Sequence, residues 1–258
     1  MRYFLHLAYL GTAYAGWQRQ PLFPSVQQTV EETLSEVYGM PLYVHGCGRT
    51  DAGVHATNYY AHLDLPEAVS DWDKTAILNR RLPADISIHR MFPVALQANA
   101  QHDARQRTYT YLGSLAKDAL QYQRSGMFHV GPMDWALVSA VAERIPMASD
   151  FKLLCKTPDR HNHTRCTVSR ARVTPGINGH SFRFEITANR FLRGMIRILV
   201  DKLIQVGSGK LTPEAFDDLL FGRMAVKHLN MAPPEGLYLT DVVYPYVEPL
   251  PAAAETSA

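Results

Sequence analysis

The chain has 258 residues, 47% of them hydrophobic, which is enough for one large globular domain or two smaller ones. It carries 26 Lys and Arg against 24 Asp and Glu, so the overall charge alone indicates no nucleic-acid partner, and any basic surface must come from local clustering. The three cysteines, Cys47, Cys155 and Cys166, include no Cys-x-x-Cys pair and favour a reducing compartment. The sequence shows no signal-peptide pattern and no membrane-length apolar run, so we expect a cytoplasmic protein without a membrane partner.

Periodicity and end signals predict six elements in the first half. Alternating apolar residues predict a strand over residues 3–9. Ser25 can cap a helix, Gln28 completes the capping box, and Gly39 ends the helix. The other predicted elements are strands at 42–47 and 59–63, a short helix capped by Asp73, and a strand containing Ile86, Ile88 and Met91.

The second half has a similar predicted content. The expected elements are a strand at 108–115, a helix from Asp134 through Ile145, strands at 164–174 and 180–188 joined across Asn178-Gly179, a helix over 190–206, a helix starting at Thr212-Pro213, and a strand at 237–244. We therefore predict an α+β fold of two pseudo-symmetric mixed α/β domains, with antiparallel sheets flanked by helices and a cleft between them. The predicted domains span residues 1–105 and 106–246, and residues 247–258 form a tail predicted to be disordered.

The octet at residues 48–55 reads Gly-Arg-Thr-Asp-Ala-Gly-Val-His and lies between two predicted strands. Gly48 and Gly53 can adopt positive φ and carry no side chain that would block a ligand. The octet thus predicts a tight loop that presents Asp51 to a substrate. Glycine and aspartate are also common turn residues, so the composition by itself is compatible with a purely structural loop.

The octet resembles the signature of the tRNA pseudouridine synthase A family. Five further segments resemble family segments in the family order: Tyr-Ala-Gly-Trp-Gln-Arg-Gln at 14–20, Ser-Val-Gln at 25–27, Arg-Thr-Tyr-Thr-Tyr at 107–111, Asn-Arg-Phe-Leu-Arg-Gly-Met-Ile-Arg at 189–197 and Glu-Gly-Leu-Tyr-Leu at 235–239. Together they cover about residues 3–246. The resemblance implies an isomerase that converts uridine to pseudouridine at positions 38, 39 and 40 of tRNA, acts as a homodimer, and binds RNA in the predicted cleft.

No cofactor or metal is expected. Pseudouridine formation is redox-neutral and needs no phosphoryl donor, and the chain contains neither a phosphate-binding loop motif nor a dinucleotide-binding glycine motif. The reaction does need a carboxylate close to the sugar carbon where positive character develops, as glycosidases do. The resemblance assigns this role to Asp51, and it leaves open whether the carboxylate adds covalently to the sugar or base, or removes a sugar proton.

The resemblance also assigns three substrate-site residues. Arg197 corresponds to the family arginine that pairs with the catalytic aspartate. Arg190, Arg193 and Arg197 have the i, i+3, i+7 spacing of one helix face, although a solvated basic face has the same pattern. Tyr109 corresponds to the tyrosine that stacks on the flipped uracil, although a lone strand tyrosine is also typical of a core.

Arg49 corresponds to the arginine that fills the space vacated by the extruded base or holds a phosphate. A solvated loop arginine is equally compatible with its position.

Three other features remain open. Cys155, His161, His163 and Cys166 could be drawn as a zinc site, but their spacing differs from the usual fingers and from the deaminase pattern. A basic run from Arg160 to Arg172 predicts either a surface facing RNA phosphates or a solvated edge strand. The segment Ala98-Asn99-Ala100-Gln101 departs from the family's Phe-His-Ala-Arg. Because Gln101 stands where the family has an arginine, the resemblance implies no RNA contact from an arginine there.

Two other functional classes fit the sequence less well than the isomerase. A catalytically silent RNA-binding or tRNA-folding protein would be free to lose Asp51, Tyr109 or Arg197, and all three are present. A nucleoside or glycoside hydrolase would usually need a second acid, and the loop offers only one carboxylate.

Overall fold

The structure is a computed structural model that describes residues 1–177, 179–224 and 229–247. Asn178 of the predicted hairpin turn therefore lies outside the described residues, as does the predicted disordered tail beyond Val247.

Nine strands, five α-helices and six short 3-10 helices make up the regular structure of the described residues. The strands are β1 (Arg2–Tyr9), β2 (His45–Gly46), β3 (His55–Asp64), β4 (Ile86–Val94), β5 (Gln106–Ser114), β6 (Gly126–Met127), β7 (Val168–Pro175), β8 (Ser181–Ala188) and β9 (Leu237–Val243). The helices are α1 (Val26–Tyr38), α2 (Thr75–Arg81), α3 (Trp135–Ala142), α4 (Met195–Gly207) and α5 (Pro213–Leu220). None of the helices in the described ranges is long and apolar enough to cross a membrane.

All nine strands belong to one sheet, in which β4, β1, β3, β9, β5, β8 and β7 follow one another, with β2 paired to β3 and β6 to β5. Most pairs are antiparallel, whereas β3 runs parallel to β9 and β5 parallel to β6. The α+β class is thus confirmed, but the expectation of separate sheets was wrong. The last strand inserts between β3 and β5, so backbone hydrogen bonds continue from one half to the other. The division into two domains at residue 105 stays a prediction.

Helices α3 and α4 cover one face of this sheet. Trp135 of α3 packs on Phe182 of β8 with 5.3 Å between ring centroids, and Phe182 stacks on Tyr111 of β5. Tyr109 points to the same face as Tyr111, because side chains two residues apart in a strand share a face. The sheet therefore presents Tyr109 towards the helical layer.

Local sequence signals predict both ends of α1 correctly, but they place the start of α4, which is close to Asp51, too early. Ser25 Oγ accepts the Gln28 N–H at 3.3 Å, and Gly39 ends α1 with φ 69°, as predicted. The predicted helix over 190–206 instead begins at Met195, because Gly194 has φ 74° and this left-handed conformation interrupts a helix. Arg190 and Arg193 consequently lie in a loop, and the prediction that they share a helix face with Arg197 was wrong.

Candidate active site

The loop at residues 48–55 connects β2 to β3, and its beginning is fixed by hydrogen bonds to the backbone. The Cys47 carbonyl accepts from the Arg107 guanidinium, with Nη2 at 2.7 Å. The next carbonyl, that of Gly48, accepts from the Tyr59 hydroxyl at 2.5 Å. These two donors lie on strands β5 and β3, on either side of β9, so the sheet itself sets where the loop starts.

The middle of the loop rests on the Tyr-Ala-Gly-Trp segment. Thr50 is buried, its hydroxyl lies 2.9 Å from the Tyr9 hydroxyl, and its carbonyl accepts from the Trp17 N–H at 3.3 Å. Gly16 has φ 98°, and a Cβ there would lie 2.2 Å from the Thr50 carbonyl oxygen. Only glycine permits this approach, which explains why the segment at 14–20 accompanies the octet.

The end of the loop is fixed by His55, whose side chain is fully buried. Its Nδ1 accepts the Gly11 N–H at 2.8 Å, so Nε2 carries the proton and faces the carbonyls of Gln123 at 3.1 Å and Glu235 at 3.0 Å. Burial lowers the pKa of His55. The neutral ring thus joins the loop to three other segments.

Two arginines flank the Asp51 carboxylate. Arg197 Nη1 lies 3.8 Å from Asp51 Oδ2, and Arg193 Nε lies 4.0 Å from Oδ1. The Asp51 side chain is 36% exposed, Arg193 49% and Arg197 13%. Arg197 also donates from Nε to the Ala232 carbonyl at 2.7 Å. The structure therefore brings the predicted pair together, with one cation fixed behind the carboxylate and a second one open to solvent.

Tyr109 lies on the same side of the sheet as Asp51 and lines the same cleft. Its ring is buried and packs edge-to-face on Phe191, with 5.1 Å between centroids and 84° between planes. Burial raises the pKa of Tyr109 well above that of an exposed tyrosine, so the hydroxyl stays protonated at neutral pH. This hydroxyl has no hydrogen-bond partner within the described residues.

Arg49 lines the cleft with an exposed side chain. It makes no hydrogen bond or ion pair inside the described ranges, so its guanidinium is available to a ligand. Asp51, Tyr109, Arg49 and Arg197 therefore all face one cavity.

That cleft has a volume of about 1370 Å³. Eight cationic side chains line it, namely Arg19, Arg49, Arg107, Lys156, Arg160, Arg190, Arg193 and Arg197, and Asp51 is the single carboxylate among its described lining residues. Removing these nine from the totals for the chain leaves 18 basic and 23 acidic residues elsewhere. The small net charge thus conceals a strongly positive cleft on an otherwise acidic protein.

The basic run from Arg160 to Arg172 divides between the two faces of the sheet. Arg160 and His161 line the cleft. Arg170 pairs with Thr187 and Arg172 with Glu185, whereas Tyr109 pairs with Ile186. Since neighbouring residues point to opposite faces, Arg170 and Arg172 lie on the face away from Asp51. Arg170 and Arg172 therefore add no charge to this cleft, and their place on the edge strand β7 favours the solvated-edge alternative for this part of the run.

The other open features also have places in the fold. Cys155 and Cys166 are buried, while His163 is exposed and lies 3.1 Å from Arg190 Nη1. Among the residues that the structure describes, no three His, Cys, Asp or Glu side chains are grouped so that they could hold a metal ion. Gln101 lines the cleft, and its carbonyl accepts from Arg107 Nη2 at 2.9 Å.

Comparison with known proteins decides the family. A family model described as tRNA pseudouridine synthase matches residues 148–245. A tRNA pseudouridine synthase A from Porphyromonas gingivalis is 41% identical over 249 residues, which cover 95% of this chain and 97% of the relative. The chain belongs to the tRNA pseudouridine synthase A family. Pseudouridine synthases are isomerases, so the expected enzyme class is confirmed.

Other relatives agree. The tRNA pseudouridine synthase A of Bacteroides thetaiotaomicron is 38% identical, covering 95% of this chain and 91% of the relative. That of Parabacteroides distasonis is 36% identical, covering 95% and 96%.

Sequence reasoning missed the roles of two site residues. Arg107 was part of a matching segment, but no pattern in the sequence shows that its side chain binds four backbone carbonyls. Periodicity places Arg193 within a helix, whereas it lies in the loop before α4. Gly194 is the sequence signal for this boundary, because glycine is unfavourable inside a helix.

Proposed function

We propose that this chain converts uridine to pseudouridine in the anticodon stem-loop of tRNA, at positions 38, 39 and 40, with Asp51 as the essential carboxylate and without a cofactor. The single observation that carries this proposal is the cleft, which is lined by one carboxylate and eight cationic side chains among its described residues, two of which flank that carboxylate. Such a cleft attracts the RNA backbone electrostatically, and Asp51, the one carboxylate among its described lining residues, can act as nucleophile or base.

The chemistry requires the bond from uracil N1 to the ribose to break, the base to turn, and a new bond to form at C5, with a proton leaving C5. A carboxylate near C1′ stabilises the developing positive charge, and it can also act as nucleophile or base. The Arg197 guanidinium, 3.8 Å from Asp51, lies where it can balance the negative charge of the carboxylate. Because Asp51 remains 36% exposed, a sugar can approach it.

The target nucleotide must leave its base stack before Asp51 can reach the sugar. Tyr109 supplies a ring and a protonated hydroxyl at the cleft wall, suited to contact the extruded uracil. Arg49 is unpaired within the described residues and can occupy the vacated space or bind a phosphate. These roles, with Arg197 as the partner of Asp51, complete the proposed substrate site.

A hydrolase is the rival activity for a single carboxylate next to a sugar. Glycosidases place a second carboxylate about 5–9.5 Å from the first, and no second one is found among the described residues that line this cleft. The isomerase is therefore favoured on the geometry as well as on the family.

The proposal is tested with Asp51→Asn. The amide is nearly isosteric but cannot act as a carboxylate nucleophile or base, so we expect unchanged folding and tRNA binding with no detectable pseudouridine. The readout is carbodiimide-dependent primer-extension stops on unmodified tRNA, which also reports the positions used. Asp71→Asn, on an exposed residue outside the cleft, is the matched control. Normal turnover by Asp51→Asn would remove Asp51 from the mechanism.

We also propose that the protein acts as a homodimer in which one tRNA contacts both subunits. Two clefts of this charge give an extended RNA stem a longer positive surface than one. Light scattering at working concentration should give twice the chain mass, and a monomeric mass under conditions of full activity would contradict the proposal. A cytoplasmic location also stays a prediction.

A further inference from the structure

The two arginines beside Asp51 differ in their exposure and in the contacts that their side chains already make. Arg197 is 13% exposed, and its Nε is already bound to the Ala232 carbonyl at 2.7 Å. Arg193 is 49% exposed, and its one side-chain contact within the described ranges is the 4.0 Å approach of Nε to Asp51. Arg197 is thus a fixed part of the site, whereas most donors of Arg193 have no partner there.

The backbone that carries Arg193 is nevertheless fixed. The Arg193 carbonyl accepts from the Lys156 N–H at 3.0 Å. Gly194 follows with φ 74°, and a Cβ there would come within 3.0 Å of Met231 Sδ. Two residues earlier, Phe191 packs on Tyr109. The side chain therefore extends from a rigid segment into the cleft, which is the arrangement of a preorganised ligand contact.

The orientation of the guanidinium leaves one edge free. Because Nε faces Asp51, the edge formed by Nη1 and Nη2 is available, and this edge matches two oxygens of a phosphate. An exposed ion pair at 4.0 Å contributes little by itself, and Arg197 already neutralises the carboxylate. Charge balance at Asp51 therefore does not account for Arg193.

We propose that Arg193 binds a phosphodiester flanking the target nucleotide, which makes it a substrate-positioning contact next to the reacting sugar. The inference rests on the proposed function: if Asp51 acts on the sugar or base of one nucleotide, the nearest anions in the RNA are the phosphates on either side of it. One Arg193–phosphate contact would then fix the extruded nucleotide relative to Asp51.

The test combines a protein change with a substrate change. A synthetic anticodon stem-loop RNA carries one neutral methylphosphonate linkage, either 5′ or 3′ of the target uridine. Wild type, Arg193→Gln and Arg193→Lys are compared in single-turnover assays that yield the half-saturating protein concentration and the limiting rate. Arg105→Gln is the matched control, since Arg105 is exposed and lies outside the cleft.

For wild type and Arg105→Gln, one of the two methylphosphonates should raise the half-saturating concentration about tenfold or more. For Arg193→Gln, the unmodified RNA should show a loss of that size, and the same methylphosphonate should add little. Arg193→Lys should fall between them, because it keeps the charge but loses the bidentate geometry.

The proposal is overturned if both methylphosphonates weaken Arg193→Gln as much as they weaken wild type. It is also overturned if neither linkage affects wild type. Failure of the proposed function is a separate result, because wild type would then form no pseudouridine in the unmodified RNA.

Discussion

Replacement of Arg107 by Met should displace the catalytic loop without touching the carboxylate. The guanidinium contacts carbonyls from four places in the chain: Cys47 at 2.7 and 3.3 Å, Gln101 at 2.9 Å, Ala104 at 3.4 Å and Asn189 at 3.3 Å. It thus joins the start of the Asp51 loop to the segment that precedes β5 and to the loop that leads to α4. Methionine keeps the apolar stem and removes every one of these hydrogen bonds.

The loss of stability in Arg107→Met depends on which carbonyls lose their hydrogen-bond donor. Cys47 is fully buried, and a buried acceptor left unsatisfied costs about 1–3 kcal/mol. Gln101 is exposed, so its carbonyl can bind water at little cost. A chain of this size loses roughly 2–4 °C in Tm per kcal/mol, so we expect Tm to fall by about 2–12 °C. Since a displacement of 1 Å at a reacting group can cost about 100-fold, kcat should fall by about that factor.

The assay measures thermal unfolding by circular dichroism and pseudouridine formation at saturating tRNA, at a temperature where both variants are folded. Arg105→Met removes the same charge two residues away, from an exposed side chain without partners among the described residues, and should behave as wild type. Wild-type Tm and kcat in Arg107→Met would refute the reasoning. Equal losses in the two variants would show that charge, rather than these hydrogen bonds, is responsible.

Two further predictions concern substrate contacts. Tyr109→Phe should be impaired less than Tyr109→Ala in single-turnover assays, because the phenyl ring keeps a stacking contact of about 1–3 kcal/mol; equal defects would argue against stacking. Arg160→Gln should reduce the slope of log K against log salt for tRNA binding by about 0.7–0.9, the share of one phosphate contact. The double replacement of Arg170 and Arg172 by Gln is its control and should leave the slope per subunit unchanged, since both lie on the opposite face of the sheet.

Local signals predicted the elements whose ends depend on one or two residues. Ser25 and Gly39 bound α1 as expected, and Thr212 caps α5 with Pro213 at its first position. In each case the end of the helix is determined by a cap, a glycine or a proline within a few residues of it, so a short stretch of sequence is enough to predict it. The same holds for the motif loop, where Gly53 has φ 78°.

Local sequence signals do not predict features that depend on residues far apart in the chain. The single sheet arises because β9 inserts between β3 and β5, and strand order depends on tertiary pairing rather than on local propensity. The face that Arg170 and Arg172 occupy likewise depends on their register with β8. A shift of one residue would reverse it, so a basic strand pattern alone cannot say which surface it forms.

The start of α4 shows why an error in one boundary changes the chemistry assigned to a side chain. On a continuous helix from residue 190, Arg193 and Arg197 would be successive members of one basic face, with similar surroundings and similar roles. The two arginines are not equivalent, because Gly194 has a left-handed conformation and α4 begins after it. Arg197 lies within the helix, and its Nε donates to a carbonyl. Arg193 lies in the preceding loop. Both side chains still reach Asp51, but only Arg193 has an open guanidinium edge there. A glycine between two arginines thus separates a fixed electrostatic partner from a contact that an RNA phosphate can use.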